Sequence, residues 1–385
     1  MKILGNRKRI AVLTTGRQDY GVLRSTVHSM HNDPELDMRL WVGGMHLKER
    51  FGKSRDLIHS EGIPIAQELD FLGEPPNPIE DSSRAMTMVG NVLVSESPDA
   101  LLLVGDRSET LAAGMAATLA TVPIIHLHGG EETEGAIDNA MRHALTKLSH
   151  LHLVSHPSYG KRVEQMGEDP ENVVVVGAPG LDNRFRDDLP SVNELEDFLG
   201  LRLDGPVVLV TVHPTTLGLK DPVSEVMAVS DAMDKVEATY VVTLPNSDAG
   251  GATIRDYWIN WSKDRENVSL KEVLGARRYW SLLNYTKVML GNSSSGMLEG
   301  PSAGANVINV GDRQFGRLRN SRIRDVGVNS AEITKLLEEA IQKDWLLEGE
   351  MRDWDFDERL VSQRIIEAIG KWNIDATLRK KFHSI

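Results

Sequence analysis

Short aliphatic and β-branched runs recur along the 385-residue chain, and several are apolar from end to end: ALLLV at 100–104, VVVV at 173–176 and VVLV at 207–210. A strand with one face in water alternates apolar and polar side chains. An unbroken run needs cover on both faces, which is the signature of a parallel sheet flanked by helices. In the first half such strands are expected at 9–14, 38–42, 64–69, 100–104, 122–127, 151–155 and 173–176, with helical patterns between them at 19–31, 82–96 and 109–120. The alternation predicts a doubly wound α/β fold. The stretch 177–191 (GAPGLDNRFRDDLPS), with two Pro, two Gly and mixed charge, reads as a linker. The pattern then restarts with GPVVLVTVH, TYVVTLP, ENVSLKE, TKVMLGN and NVINVGD. Two Rossmann-like domains, 1–180 and 181–355, are therefore expected. They are followed by a closing amphipathic helix within 356–385, where Leu360, Val361, Ile365, Ile366 and Ile369 recur at helical spacing.

Charge and composition remove several function classes. Lys and Arg number 43 against 56 Asp and Glu, a net charge of -13. This argues against a nucleic-acid partner, which needs a basic face. A small phosphorylated ligand needs only a few placed arginines. The absence of Cys rules out a disulfide framework, a thiolate zinc site and a Cys nucleophile. No apolar run approaches the length of a membrane span, and the run at 10–13 is too short for a secretion signal core. No membrane partner and a cytoplasmic location are expected.

Ligands of open parallel sheets bind beyond the carboxyl ends of the strands, so polar residues placed there carry the chemical expectations. With two such domains the expected site is the cleft between them. After the first strand, TTGRQDYG sets Arg17 at a helix start. After ALLLV come Gly105, Asp106 and Arg107. The richest segment is IIHLHGGEETEGAIDNAMRH. There His126 and His128 alternate on a strand and so share a face, Gly129 and Gly130 permit a sharp turn, and Glu131, Glu132 and Glu134 precede a helix. Glu134, Asp138 and Arg142 are spaced along one side of that helix. Acidic residues favour any helix N-terminus, but this density exceeds capping and predicts an acid/base site. Six of the twelve histidines fall between His126 and His156. Two His-x-His pairs on separate strands do not define one tetrahedral centre, and neither metal nor cofactor is expected.

In the second half His213 follows VVLVTV, and Asn246 and Asp248 follow TYVVTLP. The stretch GNSSSGMLEG places Ser293, Ser294 and Ser295 before Gly296 at a helix start, an anion cradle without a lysine. A single serine would suffice as a plain cap. Glu299 is placed to accept from ribose hydroxyls, and Arg313 and Arg317 follow the next strand. The chain lacks GxxxxGK[ST], and no GxGxxG follows the first strand, so neither a P-loop nor a dinucleotide fingerprint is present.

Taken together, GRQDYG (16–21), GDRSE (105–109), HLHGGEETEGAIDNAMRH (126–143), TKLSHLH (146–152), GNSSSGMLEGPS (291–302) and NVGDRQFGR (309–317) resemble the hydrolysing UDP-N-acetylglucosamine 2-epimerase family in order and spacing. The resemblance implies the two-domain glycosyltransferase-B type of fold with its active site in the cleft. The implied reaction uses no metal or nicotinamide. UDP is eliminated from UDP-N-acetylglucosamine and water adds to the resulting glycal, giving free N-acetylmannosamine for nonulosonic (sialic-type) acid synthesis. By position, the resemblance gives catalytic roles to Asp106, Asp138, Arg142 and His213, and substrate contacts to Arg17, Arg107, Asn246, Ser293, Ser294, Glu299 and Arg313. Many relatives carry glutamate where this chain has His128, so either His128 or Glu131 fills that role. The HGGE subgroup includes enzymes acting on a 2,4-diacetamido-trideoxyhexose, so the same chemistry on UDP-N,N'-diacetylbacillosamine, or a GDP-linked analogue, stands as the alternative. A glycosyltransferase of the same fold and a non-catalytic nucleotide-sugar sensor are the remoter readings. The cleft carboxylates weigh against the sensor, because a mere anion binder gains nothing from nearby negative charge. The sequence leaves open whether the chain forms a homo-oligomer, dimer or tetramer.

Overall fold

The computed structural model describes residues 7–132, 138–214, 222–245, 251–345, 360–374 and 379–384. The chain divides into two compact units. One runs to Asp182 and also takes in the segments at 360–374 and 379–384; the other begins at Asn183 and includes the described residues through 345.

The first unit is built on strands β1 (Lys8–Thr14), β2 (Leu36–Gly43), β3 (Ile65–Leu69), β4 (Ala100–Val104), β5 (Ile124–Leu127), β6 (Leu151–Val154) and β7 (Val173–Val175). They form one sheet in the order β3-β2-β1-β4-β5-β6-β7, and every pairing is parallel. The second unit repeats the plan with β8 (Val207–Thr211), β9 (Thr239–Thr243), β10 (Val268–Lys271), β11 (Thr286–Gly291), β12 (Asn306–Val310) and β13 (Ile323–Val326), in the order β10-β9-β8-β11-β12-β13, again all parallel. The apolar runs explain the burial: β4 is buried along its whole length, and Val207 to Val210 of β8 are too. In each sheet the direction of winding reverses between the first strand and the fourth, at β1/β4 and at β8/β11. Chain leaving neighbouring strands there parts to opposite faces and opens a crevice at their carboxyl ends.

The helix Val361–Lys371 packs Ile365 and Ile369 into the first unit's core beside Leu23 and Val27 of the helix Arg17–Asn32. The stretch read as a linker turns out to be partly core. It contains the 3-10 segment Pro179–Phe185, and Asp182 is 5% exposed. Its carboxylate accepts from the main-chain N–H groups of Val361 and Ser362, both at 2.8 Å, and so caps that helix. Among the described residues, no helix is long and apolar enough to cross a membrane.

Candidate active site

In the first unit, β4, β5 and β6 are adjacent, with Val104 opposite Leu127 and Leu127 opposite Leu153. The residues that follow them are therefore held side by side: Asp106 beyond β4, His128 beyond β5 and Ser155 beyond β6. The helix Asp138–Leu148 brings in Arg142, whose guanidinium is buried. It donates to Asp106 Oδ2, to the main-chain oxygen of Glu131 at 2.9 Å and to Asn139 Oδ1 at 3.2 Å. Asp106 Oδ1 has no partner among the described residues. The arginine thus fixes one carboxylate oxygen and leaves the other without a described partner.

His126 and His128 do not share a face as expected. β5 ends at Leu127, and His128 has a left-handed backbone with φ 65, so the strand alternation stops before it. His128 Nδ1 lies 2.6 Å from Glu131 Oε1, and that same oxygen accepts from Ser155 Oγ at 2.7 Å. His126 is fully buried. Its Nε2 donates to the Gly105 carbonyl at 2.9 Å, and its Nδ1 faces Thr146 Oγ1 at 3.2 Å. Burial pushes its pKa down to about 3, so the ring is neutral. His126 therefore ties the residue before Asp106 to the turn after Arg142. Between the histidines and the helix, Gly130 has φ 77, and a Cβ there would lie 2.4 Å from the Tyr159 carbonyl oxygen, so the loop passes only as glycine.

Around this group the charges are paired. Glu132 bonds Asn139 Nδ2 at 2.8 Å and His143 Nε2 at 3.2 Å, with Arg162 Nε at 3.4 Å. Burial pushes its pKa up, but the Asn139 bond and these neighbours outweigh it and leave the carboxyl below its ordinary value. Arg107 turns to Glu109 at 2.6 Å. Arg17 is exposed at its helix start, with no partner among the described residues. Asp19 accepts from Thr15 N and Oγ1, and burial raises its pKa.

The second unit builds its crevice from the ends of β8 and β11. Gly291 closes β11 with φ 131, and a Cβ there would stand 2.0 Å from the Thr211 carbonyl oxygen. This close approach seats the fully buried Asn292 against the chain after β8. Its Oδ1 accepts from His213 N at 2.7 Å, and its Nδ2 donates to His213 O at 2.9 Å and to Glu225 Oε2 at 2.8 Å. The Asn292 carbonyl accepts from Arg313 at 3.0 Å and Gln314 at 2.9 Å. Asn292 thus holds the main chain at His213 with its side-chain amide and the Arg313 guanidinium with its own main-chain carbonyl.

Ser293 and Ser294 precede the helix Ser295–Ala303; Ser294 is exposed and makes no capping bond with its own side chain. Ser295 Oγ bridges Tyr279 and Glu299. Burial raises the pKa of Glu299, opposed by its bonds with Ser295 and Tyr279.

The model of the family described as UDP-N-acetylglucosamine 2-epimerase matches residues 28–370. The chain belongs to the UDP-N-acetylglucosamine 2-epimerase family. It is an enzyme of the hydrolysing 2-epimerase type. It is 31% identical over 383 residues to GDP/UDP-N,N'-diacetylbacillosamine 2-epimerase (hydrolyzing) of Campylobacter jejuni, covering 98% of this chain and 99% of that one. It is 33% identical to UDP-N,N'-diacetylbacillosamine 2-epimerase (hydrolyzing) of Legionella pneumophila, covering 87% and 89%. Its fold is similar to the crystal structure of UDP-GlcNAc 2-epimerase from Neisseria meningitidis bound to UDP-GlcNAc, with TM-score 0.79 and 16% identity over 94% of this chain and 100% of that one.

Of the residues expected in this family member's site, Asp106, Arg142, Glu131 and His128 meet in the first unit. His213 and Arg313 meet through Asn292 in the second, where Ser293, Ser294 and Glu299 stand at one helix start. Glu134, Asn246 and Asp248 lie outside the described residues, as does the side chain of Asp138. Sequence reasoning missed Asn292, Ser155 and Asp19 as site residues, and it gave His126 no task of its own. The asparagine between Gly291 and Ser293 was the available signal for the first.

Proposed function

We propose that the enzyme eliminates UDP from a UDP-linked 2-acetamido sugar and adds water to the glycal, releasing the free sugar inverted at C2. The observation that carries this reading is the Asp106–Arg142 pair at the β4 end, with Asp106 Oδ1 left open. A C2 proton is weakly acidic, so its removal needs a positioned acceptor and concerted loss of the leaving group. Inversion needs a second proton-transferring group on the other face. Asp106 is one of the two; His128, Glu131 and Asp138 are the candidates for the other. In the second unit, Ser293, Ser294, His213 and Arg313 hold the diphosphate, and their fixed dipoles and charge offset what develops on it as it departs. Glu299 takes the ribose hydroxyls, and Arg17, Arg107 and Asn246 make further substrate contacts.

UDP-N,N'-diacetylbacillosamine is the preferred substrate, supported by the names of the Campylobacter and Legionella relatives. UDP-N-acetylglucosamine is the second reading, favoured by the family description. The released sugar suits nonulosonic acid synthesis. The test incubates the protein in D₂O with each nucleotide sugar, and with the GDP-linked analogue, following UDP release and the product by NMR. Free C2-inverted sugar carrying deuterium at C2 is expected. No UDP release, or product that retains its C2 hydrogen, overturns the reading; slow release of the uninverted sugar points instead to a glycosyltransferase.

A further inference from the structure

We infer that His128 Nε2 is the atom that accepts the C2 proton, with Glu131 the positioning residue that orients the ring and sets its tautomer. The inference rests on the proposed epimerase reading and assigns one of its two proton-transferring groups. Three observations converge on it.

The first is the hydrogen-bond inventory of Glu131. Its Oε1 already accepts from His128 Nδ1 at 2.6 Å and from Ser155 Oγ at 2.7 Å, and its main-chain oxygen accepts from Arg142. Oε1 is thereby committed to holding the ring, and a proton placed on it would cost bonds already made. The second is the tautomer this arrangement imposes. An ionised carboxylate only accepts, so Nδ1 carries the ring proton and the lone pair sits on Nε2. His128 Nε2 is buried and has no hydrogen-bond partner among the described residues. The third is the backbone. A left-handed conformation at a histidine, here φ 65, is sparsely populated and strained. Here it redirects the ring at the end of β5, next to the β4 end that carries Asp106.

The step then runs as follows. Nε2 takes the C2 proton, and the C2–H electron pair becomes the C1=C2 double bond. The C1–O bond breaks, and its pair leaves with UDP. The imidazolium is held against the Glu131 carboxylate. Water supplies its hydroxyl to C1, and C2 receives a proton on the other face from the second group, which the water's own proton replenishes; the imidazolium then gives its proton to solvent and restores the base. A carboxylate–imidazole dyad thus removes the proton.

Three full-length variants test this alongside the wild type. Asparagine and glycine both tolerate the left-handed backbone, so His128→Asn and His128→Gly should fold. Both should lose about 10²–10⁴-fold in kcat, and added imidazole should restore turnover in His128→Gly. Glu131→Gln should lose kcat with little change in KM and gain nothing from imidazole. On ¹⁵N-histidine-labelled wild type, NMR at pH 8 should show His128 protonated at Nδ1 alone. Near-wild-type turnover in His128→Asn, imidazole rescue of Glu131→Gln, or a proton on Nε2 would overturn the assignment. Wild type that releases no UDP from any nucleotide sugar sinks the epimerase reading itself, and so is told apart from failure of the dyad.

Discussion

In the proposed reaction, little geometry separates Asp106 from a purely structural carboxylate: Arg142 occupies one oxygen, and the other has no partner among the described residues. Asp106→Asn keeps the shape and removes the proton-transfer capacity. Its kcat should fall about 10²–10⁴-fold, with a lower melting temperature because the buried Arg142 guanidinium loses its anionic partner, as steady-state UDP release and thermal unfolding will report. Gly291 is the opposite kind of residue, with no chemistry and no tolerance. A methyl group there would stand 2.0 Å from the Thr211 carbonyl oxygen. Gly291→Ala should cost about 3 kcal/mol or more, lowering the melting temperature by roughly 6–12 °C and releasing Asn292 from His213. The placement of Asp106, His128 and Ser293 beyond strand ends was legible because polar residues directly after apolar strands are a short-range signal. What stayed hidden depends on partners far along the chain. Asn292 clamps a main chain 79 positions away, and Ser155 reaches Glu131 across 24. No window of sequence contains both ends of such a bond.

At the scale of elements, the strands with unbroken apolar runs were readable to within a residue or two, since burial on both faces leaves a composition that nothing else produces. β13 was missed because it has only four residues, IRDV, with two charged ones in the middle, at the edge of its sheet. The stretch 177–191 misled for another reason. Pro and Gly mark a chain that turns, and they say nothing about whether the turn is buried. Asp182 there caps a helix that begins 179 residues later. Asp182→Ala should cost about 1–2 kcal/mol, and Asp182→Asn less, as the urea midpoint will measure. Lys380 makes a comparable contact from 379–384. Its ammonium donates to the carbonyls of Lys147 and Ser149 at 2.6 Å each and pairs with Glu168 at 2.6 Å, at the carboxyl end of the helix that carries Arg142. Lys380→Met removes a cation from that negative helix end and should speed amide exchange over 144–149.

For the molecule as a whole, buried histidines set the response to acid. Burial lowers His46 to about 4 and His126 to about 3, and both are fully buried. Unfolded, each would protonate near 6.5, so the unfolded chain binds protons that the native one refuses. The stability they contribute is complete above pH 6.5 and is lost as pH falls from there towards 4. The loss is roughly 5 kcal/mol for the pair by pH 4.5, at about 1.36 kcal/mol per pH unit for each. Glu61 and Glu168, held near 2 by partners that outweigh burial, add a further loss below pH 4.5. Melting temperatures taken from pH 8 to pH 4 should decline steadily from about 6.5 downward; a flat profile between 6.5 and 4.5 would refute this. The seat of the helix Val361–Lys371 has a different kind of consequence. Its Ile365 and Ile369 complete a core whose sheet ends at Val175, with the entire second unit encoded in between. A ribosome delivers the early strands long before their last cover, so the second unit is free to fold first. Until translation has passed residue 371, the nascent first unit keeps an open apolar flank that a chaperone would have to shelter.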